Sequence, residues 1–341
     1  MERKREQVIL GFSGGMDSVT AARFLSERGF GVAALTLDTT GDAELVGRAC
    51  AAAGEIGVEH AVRDVRSVFA EEIVDHFVGS YLSGRTPSPC VRCNPLIKWR
   101  FLIEEADRRG VRFVATGHYF NIVEYNGRFY VSRADDRTKD QSYYLWGLSQ
   151  AVLSRALTPM GHVMKSDIRA AFADKRESMG LCFLQGSGCR EFIERHHPAA
   201  SRRGDIVDVQ GRVVGKHDGT AFYTIGQKRG LEGAAGRPVV AIDAERNRLV
   251  VGDDADLYHR ILEISDCNIV DEDEFMTAAD IEVVIRGVGR NPEGYMLGAE
   301  RIAGGYRIRL DGAAWAPAAG QPAVFYRGDR VIGGGIVERY Y

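Results

Sequence analysis

Between residues 8 and 116 short apolar runs alternate with stretches of helical period, and this alternation restricts the fold more than any other feature of the chain. Residues 8–12 form a continuous apolar run, and residues 18–28 place Val19, Ala22 and Leu25 on one helical face. Residues 30–37 read as the next strand, 43–53 as a helix, 58–65 as a strand, 68–82 and 97–109 as amphipathic helices, and 113–116 as a strand. Strands joined through helical crossovers run parallel, so this order predicts an α/β fold with a doubly wound parallel sheet.

The texture changes near Pro198. Beyond it helical periodicity gives way to short alternating runs separated by Gly turns, at residues 206–209, 212–214, 239–242 and 248–251. From about Tyr258 a further set follows, at 281–286, 306–310, 323–326 and 331–337. These predict two small β-rich domains, the last a β-barrel, with boundaries at 1–198, 199–257 and 258–341. A length of 341 residues, at roughly 150 per domain, agrees with more than one core.

No run approaches the eighteen or so apolar residues that a membrane helix needs, and the charged start, Met1 to Gln7, lacks the form of a secretory signal, so a cytoplasmic protein is expected. Its six cysteines then read as reduced thiols whose value is chemical. A net charge of −3 argues against a protein that coats nucleic acid by bulk charge. It conceals two basic islands, residues 84–112 and 195–230, each with seven basic and three acidic side chains. Arg108, Arg109 and Arg112 are read as a solvated helix end, and Lys228 and Arg229 as the better candidates for phosphate contacts.

Between the first strand and first helix stands Gly11-Phe12-Ser13-Gly14-Gly15-Met16-Asp17-Ser18. At such a junction backbone N–H groups and the helix dipole can hold an anion, and Gly14 and Gly15 allow close approach. The loop lacks the Lys of a Walker A motif and the spacing of GxGxxG, which removes the usual γ-phosphate and dinucleotide readings. It resembles the pyrophosphate loop of the ATP pyrophosphatases, which cleave ATP between the α and β phosphates and adenylate a substrate. That resemblance implies pyrophosphate contacts from Ser13 and Ser18 and a metal-placing role for Asp17. Otherwise Asp17 or Ser18 would simply cap the helix.

Cys90-Val91-Arg92-Cys93-Asn94 follows a turn-rich Thr86-Pro87-Ser88-Pro89, and Cys182 lies in Gly180-Leu-Cys-Phe183. Arg92, Lys98 and Arg100 are close in sequence, a setting that favours thiolate. Cys50, with Val46, Ala49 and Ala53, and Cys267, in a β segment, read as packing residues; Cys189 is near enough to Cys182 to substitute for it in part. Half the expectation for His118 is a structural histidine, and His196 and His197 carry no assigned chemistry.

With the loop, the segments Gly84-Arg-Thr-Pro-Ser-Pro-Cys-Val-Arg-Cys-Asn-Pro-Leu-Ile-Lys-Trp99, Ala115-Thr-Gly-His-Tyr119, Lys139-Asp-Gln-Ser142, Gly180-Leu-Cys-Phe183, Tyr223-Thr-Ile-Gly-Gln-Lys-Arg-Gly-Leu231 and Gly333-Gly-Gly-Ile336 follow in order. Over nearly the whole chain they resemble the tRNA-specific 2-thiouridylase family. The resemblance implies an adenine nucleotide alpha hydrolase-like fold, and ATP with Mg2+ used to adenylate C2 of the wobble uridine, position 34, of tRNA. It implies sulfur transfer from a persulfide on Cys182, with Cys93 as second thiol in a disulfide. Gly11 to Ser18, Leu37 and Gly117 fall where that family binds ATP. Ser88, Pro89, Cys90, Lys139, Asp140, Gln141, Arg286 and Gly287 fall where it meets tRNA. The expected partners are tRNA and a persulfide donor, either a relay protein or a cysteine desulfurase, and a monomer suits a ligand of that size. A second adenylating activity, a synthetase or amidotransferase, and a noncatalytic tRNA-binding or sulfur-carrier protein are the alternatives.

The sequence departs from the family in places that bear on chemistry. Ser88-Pro89-Cys90 stands where Asn-Pro-Asp is common, so a thiol replaces a carboxylate. Glu177 and Met179 stand where Asp and Gln are usual, the stretch between Leu37 and Ala43 is short, and Gly287 replaces an aromatic residue. Cys90, Cys93 and Cys182 together could ligate a 4Fe-4S cluster with one open iron; equally, Cys90 is a small residue tolerated in a turn.

Overall fold

The computed structural model describes residues 5–169, 180–234, 236–287 and 289–341; Glu177 and Met179 lie outside them. The chain divides into two compact units, one of Met1–Ile73, Cys90–Met179 and Asp329–Ile332, the other of Val74–Pro89, Gly180–Gly328 and Gly333–Tyr341.

The first unit opens with β1 (Gln7–Gly11), α1 (Met16–Glu27), β2 (Gly31–Asp38), α2 (Ala43–Glu55) and β3 (Glu59–Asp64). Two helical segments are broken by π-turns. One is α3 (Arg66–Phe69), a turn over Ala70–Asp75 and α4 (His76–Leu82); the other is α5 (Pro89–Cys93), a turn over Asn94–Trp99 and α6 (Arg100–Arg109). There follow β4 (Phe113–Thr116), β5 (Asn121–Tyr125), β6 (Arg128–Ser132), α7 (Gln150–Leu153), β7 (Ala156–Leu157) and α8 (Lys165–Arg169). The sheet has the order β3-β2-β1-β4-β7 with every pair parallel, as the alternation predicts.

In β1 the side chains of Val8 and Leu10 are fully buried, and Ile9, on the opposite face, is 1% exposed. Burial on both faces is what a doubly wound sheet gives its central strand. Val8 and Leu10 share a core with Val19, Ala22 and Leu25 of α1 and with Ala49, Ala52 and Ala53 of α2. Each large side chain so buried contributes about 1.5–3 kcal/mol. The α2 stripe runs through 49, 52 and 53, which leaves Cys50 one step off it and exposed, against the expectation that Cys50 packs.

A second departure matters more to the chemistry. The helix expected over 97–109 starts at Pro89, so Cys90 and Cys93 lie in a helix and not in a turn. Proline is tolerated at a first helical position because its missing N–H has no partner there. Pro95 falls in the π-turn, where the wider hydrogen-bonding ring accommodates a residue that cannot donate.

The second unit contains α9 (Cys189–His196) and a four-stranded sheet of β8 (Gly204–Asp208), β9 (Val213–His217), β10 (Val239–Asp243) and β11 (Arg248–Val251), ordered β10-β11-β8-β9. Ile206, Tyr223, Ile225, Leu231, Val239, Leu249 and Val251 form its core. Then come β12 (Tyr258–Ile269), α10 (Glu272–Thr277), β13 (Ile281–Val284), β14 (Met296–Ile302), β15 (Gly305–Trp315), β16 (Pro322–Arg327) and β17 (Arg330–Tyr340). These strands take the order β13-β16-β17-β12-β15-β14, and the end strands β13 and β14 touch, giving the expected barrel. Among the described residues no helix is long and apolar enough to cross a membrane.

Candidate active site

The phosphate loop is held by its own hydroxyls. Ser13 N donates to Ser18 Oγ at 3.3 Å, Gly15 N donates to Ser13 Oγ at 3.3 Å, and Ser18 Oγ donates to the Gly15 carbonyl at 3.0 Å. Gly15 is the N-cap of α1 and no side chain caps that end. The first N–H groups of a helix have no intrahelical partner, so this uncapped start presents donors and a positive dipole end. Asp17 and Ser18 are not caps: one turns away from the helix end and the other bonds a carbonyl.

Backbone approaches the loop closely from two sides. Gly14 has φ +69°, and a Cβ there would lie 2.7 Å from Ala49 Cα of α2. A Cβ on Gly117, just after β4, would lie 2.9 Å from Ser18 N. Phe12 N donates to the Leu35 carbonyl and Thr36 Oγ1 donates to the Phe12 carbonyl at 2.6 Å, so β2 fixes the loop's start with Leu37, half-buried, two residues beyond Leu35.

Asp17 faces two partners that sequence reasoning did not supply. Lys165 Nζ lies 2.5 Å from Asp17 Oδ1, and Tyr119 Oη donates to the same oxygen at 2.9 Å. Asp17 Oδ2 takes no partner among the described residues. Lys165 is buried at the start of α8, where its backbone N donates to Asp136 Oδ2 at 2.9 Å. The available signal was weak: Lys165 shares a face with Ile168, a spacing that buries both.

Tyr119 leads from the loop to the thiols. Its backbone N donates to Gln141 Oε1 at 2.9 Å, and Gln141 N donates to the Tyr119 carbonyl at 2.8 Å. Asp140 accepts from Ala134 N at 2.8 Å and from Ser142 Oγ at 2.7 Å. Asn94, 1% exposed, donates through Nδ2 to the carbonyls of Cys90 and Tyr144, each at 3.0 Å. The phosphate loop and the Cys90-Cys93 helix thus belong to one hydrogen-bonded frame within the first unit. His118, whose Nδ1 lies 2.8 Å from Thr116 Oγ1, is held well below the usual imidazole range by loss of solvent, with the Lys98 ammonium adding to it.

Cys93 is buried and Cys90 half-buried, one helical turn apart. The cationic setting read from sequence is reduced in the fold. Arg92 donates to the Glu72 carbonyl at 2.7 Å and to Glu72 Oε2 at 2.6 Å, and Arg100 is bonded to Glu104 at 2.9 Å. Among the described residues no group of three or more His, Cys, Asp or Glu side chains is arranged to hold a metal ion.

In the second unit Cys182 is exposed at the start of a short 3-10 turn, Cys182–Leu184. Its neighbour Phe183 anchors that turn, edge-on to Phe77 at 5.1 Å and against Phe192 at 5.1 Å. Cys189 is exposed, and burial pushes the half-buried Cys267 thiol up to about 11, in keeping with a packing role.

The residues expected to meet tRNA differ in availability. Lys139 is half-buried, Arg229 and Gly287 are exposed, Ser88 is half-buried and Pro89 buried. Lys228 pairs with Asp254 at 2.8 Å. Arg286 donates to the Ala316 carbonyl at 2.7 Å and stacks over Trp315, its Cζ 5.0 Å from the ring centre, with Arg290 also over that ring. Thr86 Oγ1 and Thr224 Oγ1, 2.7 Å apart, bring the segment before the cysteines against the residues 223–231 motif. Arg108 and Arg109 are bonded to Glu105, and Arg109 also to Glu59, which fits the solvated-end reading.

Comparison with known proteins places this arrangement. Residues 6–186 match the tRNA methyl transferase HUP domain, 190–253 the tRNA methyl transferase PRC-barrel domain, and 264–337 the aminomethyltransferase beta-barrel domain. A tRNA-specific 2-thiouridylase MnmA 3 of Bacteroides fragilis is 38% identical over 99% of this chain and 95% of its own length. A tRNA-specific 2-thiouridylase MnmA of Cytophaga hutchinsonii is 38% identical over 98% of each chain, and one of Clostridium acetobutylicum is 33% identical over 98% of this chain and 99% of its own. With the phosphate loop, the thiols and three matched domains in one order, the chain belongs to the tRNA-specific 2-thiouridylase MnmA family.

Proposed function

We propose that the chain is an ATP-dependent tRNA sulfurtransferase that converts the wobble uridine to 2-thiouridine. The observation that carries this is the frame from Asp17 through Tyr119, Gln141 and Asn94 to Cys90, which ties an adenylating loop to a thiol-bearing helix. A carbonyl oxygen does not leave unaided, and a thiol does not donate a lone sulfur atom; the loop answers the first need and a pair of thiols the second.

In this reading the C2 carbonyl oxygen attacks the α-phosphorus of ATP and pyrophosphate leaves. The outer sulfur of a persulfide on Cys182 attacks C2. The Cys93 thiolate takes the inner sulfur, the S–S bond breaks toward the base, AMP departs with the oxygen, and a Cys93–Cys182 disulfide remains for an external thiol to reduce. The exposure of Cys182 suits loading by a donor protein, and the burial of Cys93 suits a thiol that acts within the enzyme. Asp17, with one carboxylate oxygen open, fits a Mg2+ that takes few protein ligands and completes its shell on phosphates. Such an ion supplies charge neutralisation to the leaving pyrophosphate.

Ser13, Ser18, the loop N–H groups, Leu37 and Gly117 would hold ATP. Lys139, Arg229 and the residues 84–90 segment would meet a splayed anticodon base and its phosphates, while Asp140 and Gln141 shape the turn that presents Lys139. The three domains would divide at 1–198, 199–257 and 258–341, and the protein would act as a cytoplasmic monomer on tRNA. The half-buried Cys90, a turn from Cys93, favours one competing reading, in which Cys90, Cys93 and Cys182 ligate a 4Fe-4S cluster and sulfide arrives on its open iron.

The test is anaerobic incubation of unmodified tRNA with the protein, ATP, Mg2+, cysteine and a cysteine desulfurase, followed by digestion, mass spectrometry and a pyrophosphate assay. Thiolated U34 is expected, abolished in Cys182→Ser and Cys93→Ser. Iron and acid-labile sulfide in step with activity, with loss in Cys90→Ser, would replace the persulfide route by the cluster. Pyrophosphate formed without tRNA and no thiolation in any condition would move the chain to the synthetases.

A further inference from the structure

The phosphate loop carries no lysine of its own, yet the fold returns one to it from 148 residues downstream. We infer that Lys165 is the loop's anion-binding cation, held on Asp17 until pyrophosphate oxygens take it; this rests on the ATP-cleaving reading above. Three features of the structure support it.

The first is placement. Lys165 Nζ lies 2.5 Å from the carboxylate of the second residue of α1, and that helix starts at the uncapped end where an anion would sit. The second is rigidity at the base and freedom at the tip. The Lys165 backbone N is fixed by the buried carboxylate of Asp136, whose other oxygen accepts from Thr138 Oγ1 at 2.7 Å, while the ammonium is carried on a flexible stem over the Tyr119 ring. The third is energetic. The lysine side chain is 8% exposed and the aspartate 38%. A nearly buried ammonium paired to a half-exposed carboxylate is a poor stabiliser beside an apolar residue of the same length, so its value lies in chemistry.

The contact therefore acts as a switch of partners. With the loop empty, Asp17 neutralises Lys165. Pyrophosphate brings more negative charge than one carboxylate, and the ammonium turns to it while Asp17 becomes available to a cation. Lys165 would thus bind the leaving group, and Tyr119 would be a positioning residue that keeps Asp17 in register.

The probe is inorganic pyrophosphate, titrated into the full chain in Mg2+-free buffer with a chelator, with adenosine titrated in parallel. Lys165→Met is expected to weaken pyrophosphate at least tenfold and to leave adenosine within twofold. Asp17→Asn is expected to tighten Mg2+-free pyrophosphate several-fold by releasing the ammonium, and this gain should vanish in the Lys165→Met background. Equal pyrophosphate binding by wild type and Lys165→Met, or additive effects in the double variant, overturns the inference and leaves the adenylating reading standing. If Lys165→Met does not fold, Asp17→Asn decides: unchanged or weaker binding overturns it. Failure of the wild type to bind pyrophosphate at all would instead remove the ATP-cleaving reading.

Discussion

At the scale of single residues the active loop is built by what is missing as much as by what is present. Gly14 combines a left-handed backbone with a hydrogen that points at Ala49 Cα, so a methyl group meets both a conformational and a steric penalty. Gly14→Ala is expected to destabilise the first unit by about 1–3 kcal/mol and to raise KM for ATP about tenfold by displacing the loop from α2. A thermal melt and an ATP titration check it, and an unchanged KM would show that α2 does not fix the loop. The glycines, serines and Asp17 were legible because they are adjacent in the chain. Lys165, Tyr119 and Asn94 act through contacts 148, 102 and 50 residues away, and nothing local marks them.

At the scale of elements, the Pro89–Cys93 helix, the π-turn and α6 form one continuous segment whose middle is pinned by Asn94. Its amide serves two carbonyls from inside the protein, and removal leaves both short of a donor. Asn94→Ala is expected to cost about 1–3 kcal/mol and to slow thiolation more than tRNA-independent ATP binding, since the thiol helix and not the loop loses its tie. Equal loss of both activities would argue for general unfolding. The parallel sheet was readable because buried strands and amphipathic helices leave opposite periods. The start of the thiol helix was obscured by Pro87, Pro89 and Pro95, which signal a turn unless one of them sits at a first helical position. The β5–β6 hairpin went unread although Asn126 and Gly127 have φ of 50° and 70°, the backbone such a tight hairpin turn needs. β12 and β14 were missed too, β14 because its edge exposes Leu297 and blurs the alternation.

For the whole molecule, burial sets the response to acid. His60, His118, His217 and His259 are all held below the usual imidazole range, in each case chiefly by loss of solvent. Their protons bind the unfolded chain more tightly, so the stability they confer is present above about pH 6.5 and declines as pH falls below it. Carboxylates follow in a lower window: Arg108 holds Glu105 at about 2, against the pull of burial and with help from Arg109, and Arg85 holds Glu338 low, so that stability is lost from about pH 4.5 downward. Melting temperature should therefore be flat from pH 8 to 7, fall between 6.5 and 5, and fall again below 4.5. A curve flat from 8 to 5 would show the histidines reach solvent. The pairing of Lys165 with Asp17 has a consequence in time as well as in space. On a ribosome adding about 5–20 residues per second, the loop emerges well before its cation is made. A nascent chain would hold a nearly finished nucleotide cradle whose carboxylate still repels phosphate, and would stay inert toward cellular ATP until translation has passed residue 165.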